Sequence, residues 1–436
     1  MATTKQLIAQ HIDLSIPTLG PATVPSPLGL SLVSDDGISD YTADDARVSV
    51  SSNGSDPDYA FQLAGARAFN FFKGDEVAAG IVTCGGLCPG MNNVIRGLVM
   101  QLWHAFGVRR IVGFRYGFRG LTPDTPDKPR FLTPDDVKDI HVQGGTVLGS
   151  SRGPQRPEVL VDTLQKLGIN VLFCIGGDGS MRGALALYEE ITRRGATIAI
   201  VGVPKTIDND LPYIERTFGF DTAVSRAADA IKAAHVEAVG APNGIGVVRL
   251  MGRHSGFIAA SATLASGEVN LLLVPELPFD LEGERGVLSV IRQRIQRRGH
   301  CVVVVAEGAG QRHLEQSGER DASGNVKLSD IGVFLSRAIK QGLREDHISL
   351  KYIDPSYIVR AAPANAGDAI FCGQLAEEAV HAAMAGKTGM VMGLWLNRFT
   401  HVPLRAVCAG TKRIDLDSSF WRNTIEATGQ PRKLTA

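Results

Sequence analysis

From residue 77 onward, short apolar runs recur along this chain. Each is followed by a glycine-rich or polar stretch and then by a segment with helical periodicity. The runs at residues 77–83, 110–114, 171–175, 196–201, 246–250, 269–274, 301–306 and 390–396 are rich in β-branched side chains and predict strands buried on both faces. Helices are predicted at 91–106, 158–167, 221–238, 283–298, 331–343 and 366–385, with others between 175 and 196 and ending near 265. In the first of them Val94, Leu98 and Leu102 fall on one face, as a core-facing helix requires. Residues 351–359 read as an extended piece ending at Arg360, and 311–327 as a polar insertion. Strands alternating with helices throughout mean an α/β fold with mostly parallel sheets, in two successive lobes.

Composition narrows the class. The 436 residues are 44% hydrophobic and 21% charged with a formal net charge of zero, which disfavours nucleic-acid or membrane-surface binding through bulk charge. No run reaches the length of a membrane helix. The N-terminus lacks a basic segment beside an apolar core, and Asp13, Asp35 and Asp36 suit a transit peptide poorly, so a cytoplasmic location is expected. Cys84 and Cys88 have ligand-like spacing, but no second pair or histidine cluster follows. Free buried thiols are the expectation for all six cysteines. Residues 1–70, rich in Ser, Thr, Pro and Gly with turn signals at Asn53, Gly54, Asp56 and Pro57, read as a loose extension or an arm for a neighbour.

Candidate chemistry concentrates between residues 171 and 210. Gly176, Gly177 and Gly179 follow a strand and precede a helix, where a backbone free of Cβ atoms can approach a ligand and the helix N-terminus favours an anion. Asp178 sits among them, and an acid in a phosphate-cradling loop implies a cation sharing the site. The next strand ends in Pro204, Lys205, Thr206, Ile207, Asp208, Asn209 and Asp210. Parallel strands put their carboxyl ends on one sheet edge, so the two loops should share one crevice. A phosphate loop carrying a metal-handling acid, opposite a loop with two carboxylates, points to phosphoryl transfer.

Four motifs then occur in a telling order: Gly85, Gly86, Pro89, Gly90, Met91 and Asn92; Gly176 to Ser180 (GGDGS); Pro204 to Asp210 (PKTIDND); and Met251, Gly252 and Arg253. Together with VTCGGLCPGMN, TFGFDTAV, MGRHSGFIA, VAEGAG, KYIDPSYIVRA and ATGQP, they resemble the 6-phosphofructokinase family from about residue 71 to the end. The similarity is strongest to the long-chain subgroup of plants and kinetoplastids, itself related in sequence to pyrophosphate-dependent enzymes. The resemblance implies fructose 6-phosphate as acceptor, with Asp208 as general base toward its C1 hydroxyl and Thr206 and Asp210 positioning that hydroxyl. Asp178 is implied to act on Mg²⁺, and Gly86, Arg152, Gly177, Gly179 and Ser180 to surround the nucleotide. Met251, Gly252, Arg253, Glu307, Lys351, Tyr357 and Arg360 match sugar-phosphate positions, and Arg253 also stabilises charge on the transferring group. Arg96 matches an effector-phosphate position of bacterial relatives, the allosteric reading, and its alternative is a plain helix-surface arginine, so the sequence does not decide effector control. Lys, Tyr and Gly at 351, 357 and 244 depart from the bacterial Arg, His and Arg, the last of which a neighbouring subunit often supplies.

The same resemblance implies two Rossmann-like three-layer lobes with the active site in the cleft between them. Residues 71–220 with a return at about 361–410 form the donor lobe, and 221–360 with 411–436 the sugar-phosphate lobe. A homotetramer or homodimer is implied. The donor is ATP or pyrophosphate. Pyrophosphate users carry Asp at position 179, filling and charging the space of the ATP α-phosphate, whereas Gly179 leaves that space open and neutral. Lys205 points toward pyrophosphate, but in the long subgroup Gly with Lys goes with ATP, so ATP is expected and pyrophosphate is the alternative. An inactive nucleotide-binding regulatory subunit is a remote reading, since Asp178, Asp208, Asp210 and Arg253 are all present. GGDG alone also occurs in NAD and lipid kinases, but PKTIDND and MGR argue against those.

Overall fold

The computed structural model describes residues 12–28, 47–50, 59–315, 318–320 and 326–435. The turn signals at 53–57 lie outside these, as do parts of the N-terminal extension and of the polar insertion. The chain forms two compact units. One comprises Met1–Thr206, Leu211–Gly219 and Ala361–Thr411, and the other Ile207–Asp210, Phe220–Arg360 and Lys412–Ala436.

The first unit is built on a nine-stranded sheet in the order Arg47–Ser49, Ala60–Leu63, Arg398–Pro403, Met390–Trp395, Ala199–Pro204, Val171–Gly176, Ala78–Thr83, Arg110–Phe114 and Arg130–Phe131. The run from Met390–Trp395 to Arg110–Phe114 is parallel, and antiparallel pairs close both flanks. The parallel strands Ala78–Thr83, Val171–Gly176 and Ala199–Pro204 are buried at every residue, which is why they read as unbroken apolar runs and not as alternating ones. Phe61, Phe114, Leu172, Cys174, Ile200 and Tyr213 belong to one core cluster. The extension contributes to this unit: Ala60–Leu63 is a sheet strand, and the Leu19 N–H donates to Gly386 O at 2.9 Å.

The second unit carries a four-stranded, wholly parallel sheet in the order Leu271–Leu273, His300–Ala306, Gly244–Leu250 and Ser349–Ile353. Its core joins Ile245, Val247, Val303, Val305, Phe279, Ile291 and Leu335. Both sheets are mostly parallel with helices between the strands, as the sequence pattern requires.

Several elements differ from the sequence expectation. The strand expected at 196–201 lies at Ala199–Pro204, because Gly195 ends the preceding helix in the left-handed region (φ 63°) and residues 196–198 are used in the turn. Lys205 therefore follows the strand directly and bridges to Phe218 instead of hanging in a loop. The helix Met91–Met100 continues as a π-helical turn over Gln101–Ala105. The expected extended piece at 351–359 is a strand, Ser349–Ile353, followed by a helix, Ser356–Ala361, so Tyr357 and Arg360 stand on a helix. Asp354 causes the change of direction: its Oδ1 accepts the Ser356 N–H at 3.0 Å. The strand Arg398–Pro403 was not foreseen. It forms a hairpin with Met390–Trp395 through Leu396 and Asn397, both at positive φ (50° and 60°).

Candidate active site

In the first unit the chain lays Arg110–Phe114 beside one edge of Ala78–Thr83, then crosses to set Val171–Gly176 on the other. That reversal is a topological switch point, where loops leaving the carboxyl ends of adjacent strands diverge around a crevice. Four loops are tied together there. The Cys84 N–H donates to Ile175 O at 2.9 Å and the Gly85 N–H to Ser151 O at 3.0 Å, while Lys205 N–H donates to Gly176 O at 2.9 Å. Ser150 Oγ donates to Gly85 O and Lys205 Nζ to Gly86 O, each at 2.6 Å. A Cβ on Gly86 would lie 3.1 Å from Arg152 Nη2, and one on Gly177 would lie 3.1 Å from Lys205 O and 3.7 Å from Thr206 Cβ. Gly86, Arg152, Gly177, Lys205 and Thr206, distant in the chain, are thus neighbours.

Asp178 opens the 17-residue helix Asp178–Arg194, with Gly177 at the N-cap. The Ser180 and Met181 N–H groups both turn back to Gly177 O at 2.9 Å, and those of Asp178 and Gly179 point out of the helix end, where an anion is favoured. Gly176 must be glycine, because a Cβ would sit 2.2 Å from that of Ser180. At Gly179 a Cβ would meet nothing within 4 Å, so the space above the first turn is open. The Asp178 carboxylate pairs with Arg182 one turn on: its buried Oδ1 lies 3.0 Å from Nη2, and its Oδ2 accepts from Nε at 3.3 Å. Arg182 also donates to Cys408 O at 3.3 Å.

All six cysteines are free; five are buried as expected, and Cys408 is only half-buried. Burial pushes the Cys84 thiol up to about 12, which removes it from nucleophilic or metal-binding chemistry near neutral pH. Among the described residues no cluster of three or more His, Cys, Asp or Glu side chains is arranged to hold a metal.

The second unit gathers the rest. Its Ile207–Asp210 segment is fixed by Ser255 Oγ, which donates to Asp208 O at 3.3 Å, and by the Lys412 N–H, which donates to Asp210 O at 2.7 Å. The turn at Met251, Gly252 and Arg253 leaves strand Gly244–Leu250, and the loop at Glu307 leaves its neighbour His300–Ala306. The Glu307 N–H bonds Leu250 O at 2.9 Å and the Gly308 N–H bonds Gly252 O at 3.0 Å. Two glycines allow this contact. Gly252 has φ +134° with Ser255 O only 2.5 Å from a would-be Cβ, and a Cβ on Gly308 would lie 1.9 Å from Arg253 O. Arg253 donates through Nη1 to Val326 O at 2.6 Å.

Glu307 Oε2 accepts from Arg249 Nη2 at 3.0 Å. The Arg360 guanidinium stacks on the Tyr357 ring at 4.8 Å, with that tyrosine 75% exposed. Lys351 stands apart. It is exposed and pairs with Gly246, four residues and hence about 13 Å along the strand from Leu250, where the strand ends. Arg96 donates to Lys138 O at 3.2 Å on the surface of the first unit.

Sequence reasoning passed over Arg182, Ser255 and Arg249. The signal for Arg249 was present: a lone arginine inside the otherwise apolar run GIGVVRL, the residues of strand Gly244–Leu250.

Comparison with known proteins agrees with these observations. The family model described as Phosphofructokinase matches residues 78–383. The chain is 42% identical to the ATP-dependent 6-phosphofructokinase of Borreliella burgdorferi, over 97% of this chain and 98% of that one. It is 48% identical to the ATP-dependent 6-phosphofructokinase of Trypanosoma brucei brucei, over 84% of this chain and 76% of that one. Among solved structures, the pyrophosphate-dependent phosphofructokinase of Marinobacter aquaeolei superposes with a TM-score of 0.68 at 23% identity, covering 81% of this chain and 91% of that one. That last likeness speaks to the fold alone.

Proposed function

This chain belongs to the phosphofructokinase family, and on that premise we propose that it transfers the γ-phosphoryl group of ATP to the C1 hydroxyl of fructose 6-phosphate, giving fructose 1,6-bisphosphate and ADP. The observation that carries ATP as donor is the open, uncharged space at Gly179, where a Cβ meets nothing within 4 Å. An ATP α-phosphate needs that volume, and a carboxylate there would exclude it by bulk and by charge.

The nucleotide phosphates lie against Gly86, Gly177, Gly179 and Ser180, facing the first N–H groups of helix Asp178–Arg194. Arg152 offsets the charge on that side. Mg²⁺ fits the residues present. It keeps several waters and takes phosphate oxygens, so one carboxylate suffices, and Asp178 supplies one at the helix N-terminus, where it is held by Arg182, 3.0 Å from its Oδ1. When bound, Mg²⁺ neutralises charge developing on the β- and γ-phosphates.

On the acceptor side, Glu307 accepts from sugar hydroxyls, and Arg360 and Tyr357 address the 6-phosphate. Met251 and Gly252 shape the floor. Asp208 takes the C1 proton. An aspartate is far too weak a base to form the alkoxide beforehand, so the proton moves late, as the new O–P bond acidifies the hydroxyl. Thr206 and Asp210 position that hydroxyl, and Arg253 stabilises the equatorial oxygens of the moving group.

Family membership also supports a homotetramer or homodimer and a cytoplasmic site of action. No helix among the described residues is long and apolar enough to cross a membrane. A coupled assay with fructose 6-phosphate, run with MgATP and with pyrophosphate, tests the donor. Turnover with ATP alone is expected. Turnover with pyrophosphate alone would transfer the assignment to the alternative that Lys205 favours.

A further inference from the structure

Arg249 is the penultimate residue of strand Gly244–Leu250, and its side chain is only 17% exposed. It reaches three carboxylates from three separate stretches of the second unit. Nη2 donates to Glu307 Oε2 at 3.0 Å, Nη1 donates to Asp354 Oδ2 at 2.6 Å, and Nε lies 3.9 Å from Asp330 Oδ1. Nη1 also reaches Ser356 Oγ at 3.3 Å. Burial opposes the charge on Arg249, and the carboxylates of Asp354, Glu307 and Asp330 outweigh it, leaving the guanidinium more firmly protonated than usual. Its planar fork of N–H donors gives direction as well as charge, which an ammonium group cannot do.

The partners are not equivalent. Glu307 belongs to the loop strapped to Gly252. Asp354 turns the chain into helix Ser356–Ala361, on which Tyr357 and Arg360 stand. Asp330 caps helix Ile331–Gly342 by accepting the Val333 N–H at 3.0 Å. One guanidinium therefore sets both the carboxylate that would accept from a sugar hydroxyl and the start of the helix bearing an arginine for its phosphate.

We propose that Arg249 is a positioning residue for the phosphorylated sugar, aiming the Glu307 carboxylate and fixing the Asp354 turn from a single strand position. This rests on the reading of Glu307, Tyr357 and Arg360 as the sugar-phosphate side. Arg249 touches no reacting atom. Its effect is on the acceptor alone, and the nucleotide residues of the first unit are untouched by it.

The test is steady-state kinetics of the full chain with fructose 6-phosphate varied, for Arg249→Lys, Arg249→Met, Glu307→Gln and the Arg249→Met, Glu307→Gln double variant. Arg249→Met should raise KM for fructose 6-phosphate about tenfold or more with KM for ATP within about twofold of the native value. Arg249→Lys should recover part of the loss by restoring charge without the fork. The double variant should be no worse than the poorer single one, because the two residues act through one contact. Arg249→Lys, which keeps the buried carboxylates neutralised, carries the same KM comparison should Arg249→Met fail to fold. An unchanged KM for fructose 6-phosphate in Arg249→Lys and Arg249→Met, equal rises in both KM values, or fully multiplicative effects in the double variant would overturn the proposal while leaving the kinase reading in place. A native chain that neither turns over nor binds fructose 6-phosphate would remove both.

Discussion

The Lys205 ammonium donates to the carbonyl oxygen of Gly86 at 2.6 Å, across 119 residues of sequence, and the lysine is 5% exposed. Two loops from different strands of the first unit are thereby pinned by a buried cation beside the helix end where the donor phosphates are proposed to lie. Removing that cation in Lys205→Gly strands the Gly86 carbonyl and opens a void. A stability loss of about 1–3 kcal/mol is expected by denaturant titration, together with weaker donor binding by calorimetry.

Gly179→Asp separates exclusion from damage. The added side chain enters open space, and an acid in the first turn of helix Asp178–Arg194 is favoured by the helix dipole. The variant should melt at or slightly above the native temperature while kcat/KM for ATP collapses. Undiminished ATP turnover after this change would sink the exclusion argument.

Asp208→Asn keeps shape and removes the proton acceptor. Its kcat with ATP should fall by about 10²–10⁴, with the nucleotide dissociation constant unchanged in equilibrium binding. A loss confined to KM would reassign Asp208 to binding.

Gly308→Ala should fold less stably by about 1–3 kcal/mol and lose turnover, because its Cβ must displace the Arg253 carbonyl from 1.9 Å. Gly299→Ala is the control. It also sits at positive φ (75°), but a Cβ there meets nothing within 4 Å. It should cost about 1 kcal/mol and leave the kinetics alone.

Burial, then the neighbouring Glu377 carboxylate, pushes Glu378 up to about 7, against the opposing pull of Arg67. A carboxyl with its folded pKa above the unfolded value binds its proton more tightly when native, so stability falls as pH rises from about 4.5 to 7 and is level above. The full effect is about 3 kcal/mol at most. Glu378→Gln should abolish that slope and stabilise the protein at pH 8. Buried His401 and His381, both held below the usual histidine range by burial, act in the opposite sense and lose stability as pH falls through about 6.5. Urea titrations from pH 5 to 8 separate the two.

Much of the fold was legible because the parallel strands are buried on both faces. Strand Arg110–Phe114 was expected at its observed bounds, and the expectation that loops after adjacent strands meet at one edge holds for Gly176, Gly177, Lys205 and Thr206. What escaped depended on contacts remote in sequence or on unusual backbone. The last hairpin turns on Leu396 at φ 50°, a conformation no rule assigns to leucine. The helix under Tyr357 and Arg360 is announced only by Asp354, which also reads as a turn. Lys351 matches a family motif, yet pairing with Gly246 sets it apart from the Met251 turn, and register is not written in a local pattern.

Strand Met390–Trp395 fills an interior place in the larger sheet, between Ala199–Pro204 and Arg398–Pro403. It leaves the ribosome 191 residues after Pro204, about 10–40 s later at ordinary synthesis rates. Throughout that interval Ala199–Pro204 carries a bare edge, six apolar residues long, that invites pairing with any other unfinished chain. Biogenesis of this enzyme therefore has a built-in waiting period, and nascent chains stalled before residue 390 are the population that chaperones must shelter.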